Sequence, residues 1–259
     1  MPTCRTGHLQ IHYQDIGKKD APVLLLLHGW GHNWETWAPY IPMLSRSYRV
    51  VIPDLPGFGQ SDGSFSGWDM WQWSIWLEDF LQRCGITQLH AVIGHSFGGK
   101  LFSFAWFAYG DELSLPPVTA GFFAIAPSGI VRPLSWPKRA LRTALGYIPY
   151  AMKRRVLGRL RAFLYSSVIQ ETDYLNATPF QEESLRRFLS QDITEAVSEP
   201  RPFPLHFAWG SHDQAVDLWM AYRFRTIAKE NDVFVVPGGD HFIHLTHPTD
   251  IQRWLETSL

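Results

Sequence analysis

Six short runs of apolar and β-branched residues limit what this chain can become: VLLLL at 23–27, YRVVI at 48–52, LHAVI at 89–93, TAGFFAIA at 119–126, FPLHFAW at 203–209 and DVFVV at 232–236. Each is short for a globular helix and too uniformly apolar for a strand with one wet face, so each reads as a strand buried on both sides. Helical patterns lie between most of them. Met70, Trp73, Leu77, Phe80, Leu81 and Cys84 recur at helical spacing and make one apolar face, with Trp68, Trp71 and Trp76 off it, where they can contact the insertion described below. Strand alternating with helix predicts an α/β fold with a mostly parallel central sheet flanked by helices. HLQIHYQDI at 8–16 alternates Leu9, Ile11 and Tyr13 with polar residues, as an outer antiparallel strand does.

The alternation breaks between Gly129 and Pro204. There, segments of helical character rich in Arg and punctuated by Pro133, Pro137, Pro149 and Pro179 intervene without a strand. We read residues 1–129 and 204–259 as one core and 130–203 as a helical cap inserted into it. With 259 residues, 46% of them hydrophobic, the chain can bury one large core plus such an appendage. A net charge of -1 does not call for a nucleic-acid partner. Two cysteines, Cys4 and Cys84, cannot build a disulfide framework, which fits a reducing compartment. MPTCRTGHLQ at the N-terminus lacks an apolar signal core, and no uninterrupted apolar run approaches the roughly 18 residues of a membrane span. A cytoplasmic location is therefore expected.

VIGHSFGGK at 92–100 places Ser96 between Gly94 and Gly98, where the run LHAVI ends and the apolar stretch LFSFAWFAY at 101–109, read as a buried helix, begins. A strand that turns at once into a helix strains its corner residue and needs small neighbours, and the corner hydroxyl then stands at the carboxyl end of the sheet. A serine hydroxyl is a weak nucleophile unless a base lies within hydrogen-bond reach and an acid orients that base. Two other strand ends supply candidates: Asp213 in GSHDQ after FAW, and His241 in PGGDHF after DVFVV. The order Ser96, Asp213, His241 is the one this kind of sheet imposes.

With HGWG at 28–31, DLPGFGQSD at 54–62, GHSFGG at 94–99, WGSHD at 209–213 and GGDH at 238–241, the sequence resembles the α/β-hydrolase superfamily over nearly its whole length outside the insertion. The resemblance implies Ser96 as nucleophile, His241 as general base and then acid, and Asp213 as the orienting carboxylate. It also implies an oxyanion hole from the backbone N–H groups of Trp30 and Phe97, whose side chains would wall the acyl pocket. His244 and His247 are rivals to His241 but lie toward the last helix. Asp217 and Asp240 rival Asp213, yet one lies in a predicted helix and the other adjoins the base, positions typical of caps. Where some relatives carry the acid after an earlier strand, AIAPSG offers only Ser128. His28 and Asp54 read as organisers of their loops, and His95 as a packing histidine.

Together these features imply a carboxylic-ester hydrolase forming an acyl-enzyme on Ser96, with no cofactor and no metal. A serine at the elbow argues against the branches that open epoxides or displace halides, which use an aspartate there. HGWG with DLPGFGQS is locally similar to the esterases that remove a methyl ester from pimeloyl carrier protein, and less closely to carbon–carbon bond hydrolases. Acyl thioesterases, lyases and triad-bearing ligand receptors share the fold and remain alternatives. The insertion adds a charge feature: Arg132 to Arg161 hold nine of the chain's 23 basic residues and no acidic one. A solvated helix face accounts for such a run; the sharper alternative is that Arg142, Arg154, Arg155 and Arg159 dock an acidic carrier protein or an anionic surface.

Overall fold

The computed structural model describes residues 1–131, 177–198, 202–228 and 233–259. Chain packing divides the protein into two compact units, Met1–Ile130 with Thr178–Leu259, and Val131–Ala177. Arg142, Arg154, Arg155 and Arg159 lie outside the described residues.

The first unit is built on an eight-stranded sheet: β1 Thr3–Thr6, β2 Leu9–Ile16, β3 Val23–Leu27, β4 Arg49–Pro53, β5 Leu89–His95, β6 Val118–Ile125, β7 Leu205–Gly210 and β8 Val233–Val236. They lie in the order β1-β2-β4-β3-β5-β6-β7-β8. β1 on β2 and β2 on β4 are antiparallel, and the remaining pairs are parallel. All six apolar runs and the alternating one are strands. β1, sequence TCRT, is not legible as one because its residues are polar and its single pairing is with β2.

Among the described residues the α-helices are α1 Ile41–Leu44, α2 Met70–Arg83, α3 Phe97–Ser103, α4 Pro179–Phe188, α5 Thr194–Ser198, α6 Leu218–Ala228, α7 Ile243–Thr246 and α8 Pro248–Ser258. One sheet face, with Leu24, Leu26, Val50, Ile93 and Phe123, is covered by Trp37, Tyr40 and Leu44 and by Ile251, Trp254 and Leu255 of α8. Strand residues of the opposite parity meet the other helices: Phe122 stacks on Phe102 of α3 at 3.9 Å and Phe207 packs on Phe224 of α6 at 5.5 Å. Helices on both faces leave no wet side, which is why the parallel strands are apolar throughout. Among the described residues no helix is long and apolar enough to cross a membrane.

Three details differ from the sequence reading. The helix expected over 101–109 starts at Phe97, and from Phe104 to Ala108 it widens to i→i+5 bonding, with Tyr109 N–H donating to Phe104 O at 3.0 Å. Trp76 is only 4% exposed and stacks on Phe80, so the buried stripe of α2 is wider than a single face. Helices α4 and α5, read as part of the insertion, group with the sheet unit, and Trp68 meets Phe180 of α4 at 5.4 Å.

Candidate active site

The corner after β5 is strained as the sequence requires. Ser96 holds φ 49° and ψ -108°, a region that non-glycine residues rarely occupy. Its neighbours make the turn possible by lacking a Cβ: one on Gly98 would stand 2.3 Å from Leu27 O, and one on Gly94 2.8 Å from Gly99 Cα. Backbone bonds lock the corner, with Ser96 N–H donating to Ile125 O at 2.9 Å and Lys100 N–H to Ser96 O at 3.1 Å.

Two further loops meet there. Beyond β7, Asp213 accepts at Oδ1 from the N–H groups of Ala215 and Val216, at 2.9 and 2.8 Å, which fixes its carboxylate. The loops after β7 and β8 are joined by Ser211 N–H to Val236 O at 3.0 Å and His212 N–H to Gly239 O at 2.8 Å. His241 Nδ1 then lies 2.8 Å from Asp213 Oδ2, and His241 Nε2 lies 3.0 Å from Ser96 Oγ. An ionised carboxylate only accepts, so Nδ1 carries the proton and donates it to Asp213. That leaves the Nε2 lone pair to accept from the Ser96 hydroxyl. Ser96, Asp213 and His241, far apart in sequence, form one hydrogen-bonded chain.

Three of the rival residues are held by other partners. Asp217 is exposed and accepts from Trp219 N–H at 2.8 Å, and exposed Asp240 accepts from Phe242 N–H at 2.9 Å. His247 pairs through Nδ1 with Thr246 Oγ1. His244 is fully buried, makes no side-chain hydrogen bond among the described residues and is held well below the ordinary histidine range by burial. Ser128 Oγ, also buried, makes none among those residues either.

Organising residues frame the site. Buried His28 donates from Nδ1 to Gly29 O at 2.8 Å and accepts at Nε2 from Leu55 N–H at 2.9 Å, so one neutral ring ties the loops after β3 and β4 together. Burial lowers its pKa to about 3. Asp54 accepts from Trp34 N–H at 2.8 Å and Gln60 N–H at 3.0 Å, ordering the glycine-rich loop, while burial raises its pKa. His95 donates from Nε2 to His241 O at 3.0 Å. A Cβ on Gly29 would stand 2.6 Å from His95 Nδ1, so this ring touches both the HGWG loop and the base loop. Its role as a link was not legible, because it depends on contacts across 146 residues.

Trp30 lies in the loop after β3, and Phe97 opens α3, where the first-turn amides have no partner within the helix. Their rings pack edge to face at 5.0 Å. Phe97 is 0% exposed and backs Trp30, so its side chain does not wall a pocket as expected.

A sequence profile of the alpha/beta hydrolase family matches residues 24–252. The chain belongs to the α/β hydrolase family. Among the relatives of this chain, a soluble epoxide hydrolase from Corynebacterium sp. (strain C12) is 34% identical over 98 residues, 38% of this chain and 33% of that protein. The chain spans about a third of the length of the first curated relatives it matches. An esterase from Rhodococcus sp. ECU1013 has the same fold with a TM-score of 0.70 at 20% identity, over 98% of this chain and 96% of that one. A meta-cleavage product hydrolase shares it with a TM-score of 0.67 at 21% identity, over 98% and 96%.

Proposed function

We propose that this family member is a carboxylic-ester hydrolase that passes its acyl group through Ser96, with His241 as base and then acid and Asp213 as the orienting carboxylate. The observation that carries the reading is the unbroken chain from Ser96 Oγ through His241 to Asp213, at 3.0 and 2.8 Å. Ser96 Oγ attacks the ester carbonyl as its proton passes to His241 Nε2. The amides of Trp30 and Phe97 receive the oxyanion, helped by the positive end of α3. Collapse of the tetrahedral adduct breaks the bond to the alkoxy oxygen, which leaves with the proton from His241. Water, deprotonated by His241, then attacks the acyl-Ser96 ester, and the acid departs as Ser96 recovers its proton.

The nucleophile separates this chemistry from epoxide opening. A carboxylate that attacks an epoxide carbon gives an ester that water can cleave, whereas a serine hydroxyl would give an ether and a dead enzyme. Acyl transfer through serine instead gives an ester at every turn. The test is turnover of an aryl acetate by the wild type and Ser96→Ala. Loss of about 10³-fold or more in kcat supports the reading; undiminished turnover in Ser96→Ala removes it.

The charge of the insertion supports a second proposal, that an acidic carrier protein or an anionic surface docks at Arg142, Arg154, Arg155 and Arg159 and delivers the acyl group. Such attraction fades as salt shortens the Debye length from about 10 Å at 0.1 M to about 3 Å at 1 M. A salt-sensitive fall in kcat/KM for Arg154→Glu, Arg155→Glu, confined to a carrier-bound substrate, is the expected result. Equal loss with a small neutral ester contradicts it.

A further inference from the structure

Lys100 lies four residues past Ser96 on α3 and is only 2% exposed. A lysine at that depth has lost its hydration, and burial brings its pKa down to about 7. It finds acceptors at the end of another helix: Nζ donates to Phe188 O at 2.5 Å and to Gln191 O at 2.7 Å. Phe188 O is the last carbonyl of α4 and Gln191 O lies three residues beyond it, where the negative end of the helix favours a cation. The rings of Phe104 and Phe188 lie 5.7 and 5.0 Å from the ammonium.

Three hydrogen bonds hold α4 to the loops before α2. Gln181 Nε2 donates to Gly57 O at 2.6 Å, Glu183 Oε2 accepts from Gly67 N–H at 2.9 Å, and Ser184 Oγ accepts from Trp68 N–H at 2.8 Å. A helix of ten residues does not hold itself in water, so these tethers and its packing set its place. What its last turn presents is Phe188. That ring lies 5.2 Å from Trp30 and 5.0 Å from Phe97, completing a triangle with the two residues proposed to hold the oxyanion. Phe188 is 5% exposed and Phe97 not at all, so ring atoms fill the volume behind Trp30.

Building on the acyl-enzyme reading of Ser96, we propose that Lys100 is a positioning residue that seats Phe188 against Trp30 and Phe97, and that this filled aromatic block restricts the enzyme to esters of short acyl groups. On this proposal the acyl chain runs from Ser96 toward Trp30, and the Phe188 ring seated against Trp30 takes up room that a longer chain would need.

The experiment measures kcat/KM of the full chain for p-nitrophenyl acetate, butyrate and octanoate. The wild type should favour acetate over octanoate by about 10-fold or more, and Phe188→Ala should move that ratio toward octanoate by a similar factor, since each methylene accommodated or refused is worth about 10-fold and upward. Lys100→Met should move it the same way while acetate turnover changes less. Lys100→Gln, which keeps two N–H donors, should restore part of the wild-type ratio. A wild type that prefers octanoate, or a folded Phe188→Ala with an unchanged ratio, overturns the proposal. Failure of both Lys100 variants to fold assigns Lys100 to the core alone and overturns its positioning role. Failure of the underlying reading looks different: no ester is turned over and no phosphonate reaches Ser96.

Discussion

Ser96 sits in backbone strain of about 1–3 kcal/mol that the surrounding bonds must offset, and its partner residues carry their own testable consequences. Asp213 controls which nitrogen of His241 holds the proton, so Asp213→Asn should cut kcat by about 10³ to 10⁴ with little change in folding. Asp217→Asn, which alters a solvent-facing turn, should leave kcat nearly intact; the reverse pattern would move the acid to Asp217. Buried neutral groups also set how stability depends on pH. Burial holds His28 to about 3 and keeps His95 and His244 well below 6.5. The unfolded chain therefore takes up these protons first as pH falls below 6.5, and native stability declines with it. Lys100 acts in the other window: its pKa is lowered from 10.5 to about 7, so between those values the unfolded chain binds the extra proton and stability from this group rises with pH. Asp192 is the charged group whose field opposes that lowering. Urea midpoints at about pH 5, 7 and 9 should show the first decline, and Lys100→Met should flatten the later rise.

At the scale of the elements, the loops at the strand ends depend on close approach more than on side-chain chemistry. A methyl group at Gly98 would meet the carbonyl of Leu27 at 2.3 Å, so Gly98→Ala should separate α3 from β3, displace Ser96 and lower kcat more than it lowers the melting temperature. Helix α2 offers a control away from the site. Asp69 caps it in a reciprocal box with Gln72, and Asp69→Ala should cost about 1 kcal/mol in urea unfolding without a comparable change in KM. The elements themselves were legible wherever burial wrote a pattern. VLLLL, LHAVI and TAGFFAIA are apolar because both sheet faces are covered, and the glycines around Ser96 record a tight turn. β1 was not legible, since a polar edge strand with one neighbour leaves no periodic mark. The tethers of α4 were hidden for another reason: Lys100, Phe188 and Gln191 reveal their relation only once α3 and α4 are adjacent.

On the scale of the whole molecule, the site exists because the sheet order brings the ends of β5, β7 and β8 together from positions 145 residues apart, between Ser96 and His241. The sequence pointed to these three residues through local motifs, each lying just past a strand. It did not point to the filled aromatic block, which joins Trp30, Phe97 and Phe188 from three separate stretches. Covalent capture asks whether this assembly makes the Ser96 hydroxyl nucleophilic. The intact protein is treated with a fluorophosphonate, digested and analysed by mass spectrometry. A single phosphonyl adduct is expected on the peptide carrying Ser96, absent in Ser96→Ala and formed far more slowly in His241→Ala. An adduct on another residue, or none on folded wild-type protein, would contradict it.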